Sequence, residues 1–319
     1  MSRKGLALFT AMCVIWGIPY LLIKVAVSHI SPPELVFGRT AIGAVLLLPL
    51  ALRRGELRPL LARWRPFILY SLVEIALPWL LLSDAETHIS SSLSGLLVAA
   101  VPLAGIFWLR LWGSSEGLTR TRWAGLLLGL MGVAAVLGFD LRHITLISMV
   151  EMAIVVACYA LGPQILSHRL AELPSLGVVS GSLTLCALLY LPIAIIQRPA
   201  AVPTAAVLGS VIALGVICTA LAFLIFFGLI AEVGPVRATV ITYINPAVAV
   251  ALGVALLHEP FTIGIGVGFA LVLAGSVLAT RKPGAAGQPS SARPMPASLE
   301  PNASLLSTAD PSDGDLGCR

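Results

Sequence analysis

Ten stretches of this sequence stay apolar for 16 to 26 consecutive residues, and that pattern restricts the fold more than any other feature. They are Leu6–Val27, Leu35–Leu52, Phe67–Ser83, Ser90–Trp112, Ala124–Phe139, Ile144–Leu166, Val178–Ile196, Ala205–Ile230, Ala238–Leu257 and Ile263–Thr280. A helix needs roughly 20 apolar residues to cross the hydrocarbon core, with about 17 as a lower limit. Membrane strands are shorter and alternate polar with apolar residues, so a barrel is excluded. Only 11% of residues are charged and mean hydropathy is +0.98; a soluble domain carries about 25% charged residues to cover its surface. The sequence therefore predicts an all-α, polytopic membrane protein.

The net charge of +5 does not indicate a nucleic-acid partner, because the basic residues form no single patch. They sit in short loops, where they set topology. Arg3 and Lys4 precede the first run; Arg53, Arg54, Arg58, Arg63 and Arg65 follow the second. Arg110, Arg120 and Arg122 flank the loop after the fourth, and Arg281 and Lys282 follow the tenth. With ten spans all fall on one side. The other side holds Arg142 and Arg198 with acidic Asp84, Glu86 and Asp140. The expectation is a plasma-membrane protein with both termini cytoplasmic. The first run has no small-x-small cleavage site and is read as a retained helix. Residues 282–319, rich in Pro, Ser, Ala and Gly, are expected to form a disordered cytoplasmic tail.

The chain repeats itself. "EGLTRTRWAGLLLGLMG" from Glu116 and "EPFTIGIGVGFALVLAG" from Glu259 share Glu, Thr and Gly at the same spacing, 143 positions apart. The same offset relates Gly38 to Gly181, Pro49 to Pro192 and Trp16 to Tyr159, and an offset of 144 relates Pro102 to Pro246. Each copy holds five spans, so the second enters the membrane from the opposite face. Ten helices in two inverted five-helix repeats, 5–139 and 144–281, follow. This is an architecture of secondary transporters, with the site near the midplane between the halves.

"IWGIPYLLIKVAVSHISPPELVFGRTAIGAVLLLPL" resembles the first two helices of EamA-type transporters of the drug/metabolite transporter (DMT) superfamily. "GPVRATVITYINPAVAVALGVALLHEPFT" with "GVGFALVLAG" resembles the helices that end the family's second repeat. The resemblance covers residues 5 to 281. It implies export or exchange of small metabolites by alternating access, with the first, fourth, sixth and ninth helices around a central cavity and the fifth and tenth peripheral. Two departures stand out: His258 where a glycine is common, and Ser-Ser before Glu116 in the first copy. They bear on a close helix contact there, not on the fold.

A charge at bilayer depth costs about 3 kcal/mol on insertion scales unless it faces protein or water, so each one asks for a role. Arg39 reads either as a fork for a substrate carboxylate or phosphate, or as a shallow interfacial arginine that snorkels outward. Lys24 reads as a second snorkelling residue, or as a partner of Arg39 in a positive mouth, with Glu34 able to neutralise either. Glu74 lies mid-span in "ILYSLVEIALPWLLL" with no basic neighbour in sequence; it is the first candidate for proton coupling and Glu151 the second. A hydrogen-bonded structural carboxyl is the other reading of both. Glu116 and Glu259 read as structural, stabilised by the positive end of the helix each precedes. Pro102 and Pro246 break a helix hydrogen bond and are expected to kink their spans as gates or as fixed packing bends. Trp16, Tyr20, Trp79, Tyr159, Tyr243 and Asn245 are the remaining candidate substrate-lining residues; as single residues aromatics more often pack.

Five cysteines without a Cys-x-x-Cys pair, and scattered histidines, predict neither a zinc site nor a disulfide framework. The sequence has no phosphate-binding Gly-rich loop ending Lys-Ser/Thr and no hydrolase motif. Neither a cofactor nor an enzyme activity is expected. The leading expectation is a secondary active exporter of a small organic metabolite, an amino acid or related compound, with proton coupling as a hypothesis. An uncoupled facilitator, a multidrug or cation exporter of the same fold, and a non-transporting membrane scaffold are the alternatives. The partners expected are a small-molecule substrate and the lipid bilayer, with a homodimer as an option.

Overall fold

The computed structural model describes residues 2–111, 120–140, 145–197, 202–234 and 238–280. Glu116 and the 282–319 tail lie outside them. Ten apolar helical segments are present: seven are long enough to cross a membrane, and Ser91–Gly105, Trp123–Ala135 and Ile263–Leu278 are shorter.

The first span is Arg3–Ile15 and Pro19–Ala26, interrupted at Trp16–Ile18. The second is Pro32–Arg53, opened by a capping box in which the Ser31 N–H donates to Glu34 Oε2 at 2.7 Å. Glu34 is thus occupied at its own helix start. After a short helix, Arg58–Ala62, the third span runs Trp64–His88 and contains a π-helical turn, Leu72–Ala76. The fourth is broken into Ser91–Val98 and Val101–Leu111, and the fifth is Arg120–Asp140.

The second copy follows with the sixth span Leu146–Arg169 and the seventh Ser175–Ile196. The eighth is Ala205–Val233, and it too contains a π-helical turn, Val216–Leu221. The ninth begins as a 3-10 turn, Thr239–Tyr243, and continues as Asn245–Leu257; the tenth is Ile263–Thr280.

Irregularities recur at equivalent places. The two π-turns start 144 residues apart, the offset that relates Pro102 to Pro246. The fourth span restarts at Val101 and the ninth at Asn245. Pro102 and Pro246 therefore do not kink continuous helices. Each sits in the first turn after a break, where its missing N–H costs nothing.

Packing follows the same two-fold logic. The second span lies on the seventh, the fourth on the ninth and the fifth on the tenth, while the first packs on the eighth and the sixth on the third. The fifth and tenth spans meet through small residues: a Cβ added at Gly132 would lie 2.7 Å from the backbone N of Val272 and 2.9 Å from the carbonyl of Gly268. Helices in lipid gain most from such close backbone approach, because apolar burial itself drives nothing there.

Candidate functional site

Arg39 is the centre of the site, and it is not shallow. It is 8% exposed, and its Nε donates to Thr219 Oγ1 at 2.9 Å. Its guanidinium carbon lies 3.6 Å from the centroid of the Trp79 ring. The snorkelling reading fails for that reason: the side chain runs inward from the second span, between the π-turn of the eighth and the indole of the third. Among the described residues no carboxylate forms an ion pair with it. A guanidinium has five N–H donors, and the hydrogen bond to Thr219 uses one.

Tyr20 and Tyr159 stand within electrostatic range of Arg39. Trp79 supports Arg39 through its ring face. Thr219 had no sequence signal. It is 180 positions from Arg39 and is presented by a π-turn, a feature often found at functional sites.

Glu74 lies on the other π-turn, beside the sixth span. Its Oε2 is buried without a partner among the described residues, and a Cβ added at Gly162 would overlap its carboxyl. Tyr70, Cys158 and Tyr159 are its electrostatic neighbours. Pro163 follows Gly162 inside the sixth span, so the Tyr159 carbonyl has no donor four residues on. At the offset of 144, Glu74 corresponds to Cys218, the neighbour of Thr219. The two π-turns thus carry a carboxyl on one side of the site and the arginine's acceptor on the other.

The remaining predicted residues fall around this centre. Trp16 sits at the break in the first span and packs on Phe223 and Phe226 of the eighth, with ring centroids 6.1 and 4.7 Å away. Tyr243 and Asn245 belong to the break in the ninth span. The Tyr243 hydroxyl donates to the Ser276 carbonyl at 3.4 Å. Asn245, with its amide turned to suit its neighbours, donates to the carbonyls of Ile241 and Cys13, each at 3.0 Å. The matching break in the fourth span is closed by Ser276, whose hydroxyl donates to the Ala99 carbonyl at 3.1 Å.

A second polar group lies where the first, third and ninth spans end. Lys24 neither snorkels nor faces Arg39: its Nζ donates to the carbonyls of Glu86 and Ile89, at 2.6 and 2.8 Å, and so caps the end of the third span. Glu86 is fully buried, with both carboxyl oxygens unpartnered among the described residues. Glu151, 8% exposed, faces Asp84 within hydrogen-bonding reach, and its own Oε2 is unpartnered. Two carboxyls can bond to each other only through a shared proton.

Glu259 is structural, but not for the helix that follows it. It accepts from the Ser91 and Ser92 N–H groups at 2.7 and 2.9 Å and from the Ser92 hydroxyl at 2.5 Å. It caps the fourth span of the other repeat, joining the two halves. The tenth span is capped instead by Thr262, whose hydroxyl accepts from the Ile265 N–H at 3.2 Å.

Two inverted repeats, broken helices at matched positions and a buried arginine between the halves, without an ion pair among the described residues, describe a membrane transporter. The comparisons agree. The sequence profile of the EamA-like transporter family matches residues 3–138 and again 146–281, and the chain belongs to that family. It is 28% identical to YvbV of Bacillus subtilis, an uncharacterized transporter, over 88% of this chain and 93% of that one. It is 28% identical to YedA of Escherichia coli K12, an uncharacterized inner membrane transporter, over 79% and 82%. An uncharacterized transporter of Archaeoglobus fulgidus is 25% identical over 84% and 95%. A crystal structure described only as that of a protein shares the fold, with a TM-score of 0.63 and 20% identity over 88% of this chain and 97% of the other.

Proposed function

We propose that this transporter is a secondary active exporter of a small organic solute bearing a carboxylate, an amino acid or a related metabolite, working by alternating access from the plasma membrane. The observation that carries the reading is the buried Arg39 guanidinium, which among the described residues has a hydroxyl and an indole for partners and no carboxylate. A buried cation left unpaired costs several kcal/mol; a substrate carboxylate accepting its free N–H groups two at a time would remove that cost and gain a short, charge-assisted contact.

The Trp79 ring fixes the guanidinium plane, which sets the direction from which the carboxylate approaches. Tyr20 and Tyr159 lie within electrostatic range of the same guanidinium. Glu74, which like Arg39 is an electrostatic neighbour of Tyr159, exchanges a proton or receives the substrate's ammonium in this reading. The breaks at Trp16–Ile18, Ala99–Ala100 and Ile244 give the surrounding spans points at which to bend as the two halves rock. Both termini face the cytoplasm in this reading, as the clustering of arginines on one side favours.

The test is uptake by purified protein in liposomes against labelled amino acids and amphiphilic cations, with and without a pH gradient. Gradient-stimulated movement of a carboxylate-bearing solute is the expected result. Movement of cations alone would replace this reading with that of a cation exporter. Movement indifferent to the gradient would indicate a facilitator.

A further inference from the structure

Away from the Arg39 site, at the bundle end where the arginine-rich loop after the second span lies, a cavity of about 580 Å³ opens between the third and sixth spans. Arg65, Pro66 and Leu69 line it from the first turns of the third span, and Ile165, His168 and Arg169 from the last turn of the sixth. The residues within each set are spaced so that they share a helix face. Three of the six are basic and none is acidic.

The arginine charges are not neutralised locally. Among the described residues neither Arg65 nor Arg169 forms an ion pair, while neighbouring Arg63 pairs with Glu172 at 3.6 Å and Arg54 with Glu56 at 3.9 Å. Arg169 and His168 suit the negative end of the sixth helix, but Arg65 stands at the positive end of the third, where a cation is disfavoured. Two arginines and a helix N-terminus therefore converge on one hollow, and an anion there would relieve both the repulsion and the dipole mismatch.

The geometry points to a binding site for the phosphate headgroup of an anionic phospholipid, with its acyl chain descending between the third and sixth spans. The lower wall decides for a lipid over a free anion. Pro66, Leu69 and Ile165 make it apolar, Leu69 is 51% exposed, and Trp64, which lies 5.2 Å from the Arg65 guanidinium, is 53% exposed beside the opening. Basic pockets between spans that open to the bilayer hold such headgroups, and tryptophan favours the headgroup level. The third span carries Glu74 and the sixth carries Gly162 against it, so a lipid wedged here would bear on the spacing of the two spans that hold that carboxyl.

The experiment is native mass spectrometry of full-length protein purified in mixed phosphatidylglycerol and phosphatidylcholine, counting each lipid retained. Wild type is expected to keep phosphatidylglycerol preferentially. The R65Q/R169Q double variant should lose about thirtyfold of that preference, the combined contribution of two arginines near an anionic headgroup. R54Q, outside the cavity, should keep it. These positions are exposed, and an unchanged melting temperature verifies folding. Equal retention of both lipids by wild type, or a double variant that behaves as wild type, would overturn the assignment. So would soluble glycerol 3-phosphate displacing the retained lipid at matched concentration, which would identify a site for free anions.

Discussion

Arg39 and Trp79 stand face to face, the guanidinium carbon 3.6 Å from the centre of the indole ring, inside a helical bundle where Arg39 is 8% exposed. A cation over an aromatic face gains about 2 kcal/mol when desolvated, less than its burial costs. The pair is therefore a positioned charge with no carboxylate paired to it among the described residues.

Arg39→Lys tests whether geometry or charge alone matters. Lysine keeps the charge but loses the planar fork and the stacking. Transport of a carboxylate-bearing solute is expected to fall by about tenfold or more, with the melting temperature little changed. Full activity in Arg39→Lys would reduce the residue to a point charge.

Gly162→Ala probes the contact with Glu74. The added methyl would overlap the carboxyl, and overpacking of this kind costs about 1–3 kcal/mol. Thermal unfolding in detergent should show that loss, and Glu74→Ala in the same chain should restore most of it. A cycle without coupling would mean that the two residues do not touch.

Glu74→Gln keeps the shape and removes the exchangeable charge. If Glu74 carries the coupling proton, Glu74→Gln should still bind solute but lose its response to a pH gradient in liposomes. An unchanged response would move the role to the Asp84–Glu151 pair or to Glu86; Glu151 and Glu86 are the other carboxyls with unpartnered buried oxygens among the described residues.

Glu259→Ala removes the acceptor for two backbone N–H groups and a hydroxyl at the start of the fourth span. Loss of a helix cap costs about 1 kcal/mol. Because this cap comes from the other repeat, Glu259→Ala should also open that end of the bundle. A cysteine placed at Ser91 should react faster with a soluble maleimide in the variant than in the parent.

Much of the architecture was legible because it is written in local chemistry. Run lengths gave the spans, and the 143–144 offset gave the inverted repeats. Pro102 and Pro246 marked where both halves break, although the prolines begin new segments and do not bend old ones. The site was legible only in part. Arg39, Trp79, Tyr20 and Tyr159 could be named as residue types out of place in lipid, but their mutual contact depends on spans far apart in sequence. Thr219 is an ordinary threonine until the π-turn of the eighth span aims it at Arg39. A π-turn inserts one residue into a helix and leaves no compositional trace, so Leu72–Ala76 and Val216–Leu221 were invisible. Aligning the two copies through their third spans would have set Glu74 opposite Cys218 and drawn attention to Thr219. Lys24 and Glu259 were misplaced for the same reason: both cap helices other than their own, at distances in sequence that no local rule reaches.

The most direct test of the account is a competition experiment at Arg39. Liposomes containing wild-type protein or Arg39→Gln take up a labelled amino acid in the presence of the same unlabelled amino acid or its carboxamide, which differs only in lacking the carboxylate. The account predicts that wild type is inhibited far more strongly by the acid than by the amide, and that folded Arg39→Gln loses this discrimination. Equal inhibition by acid and amide in wild type, or discrimination that survives in Arg39→Gln, would contradict the assignment of Arg39 as the carboxylate anchor.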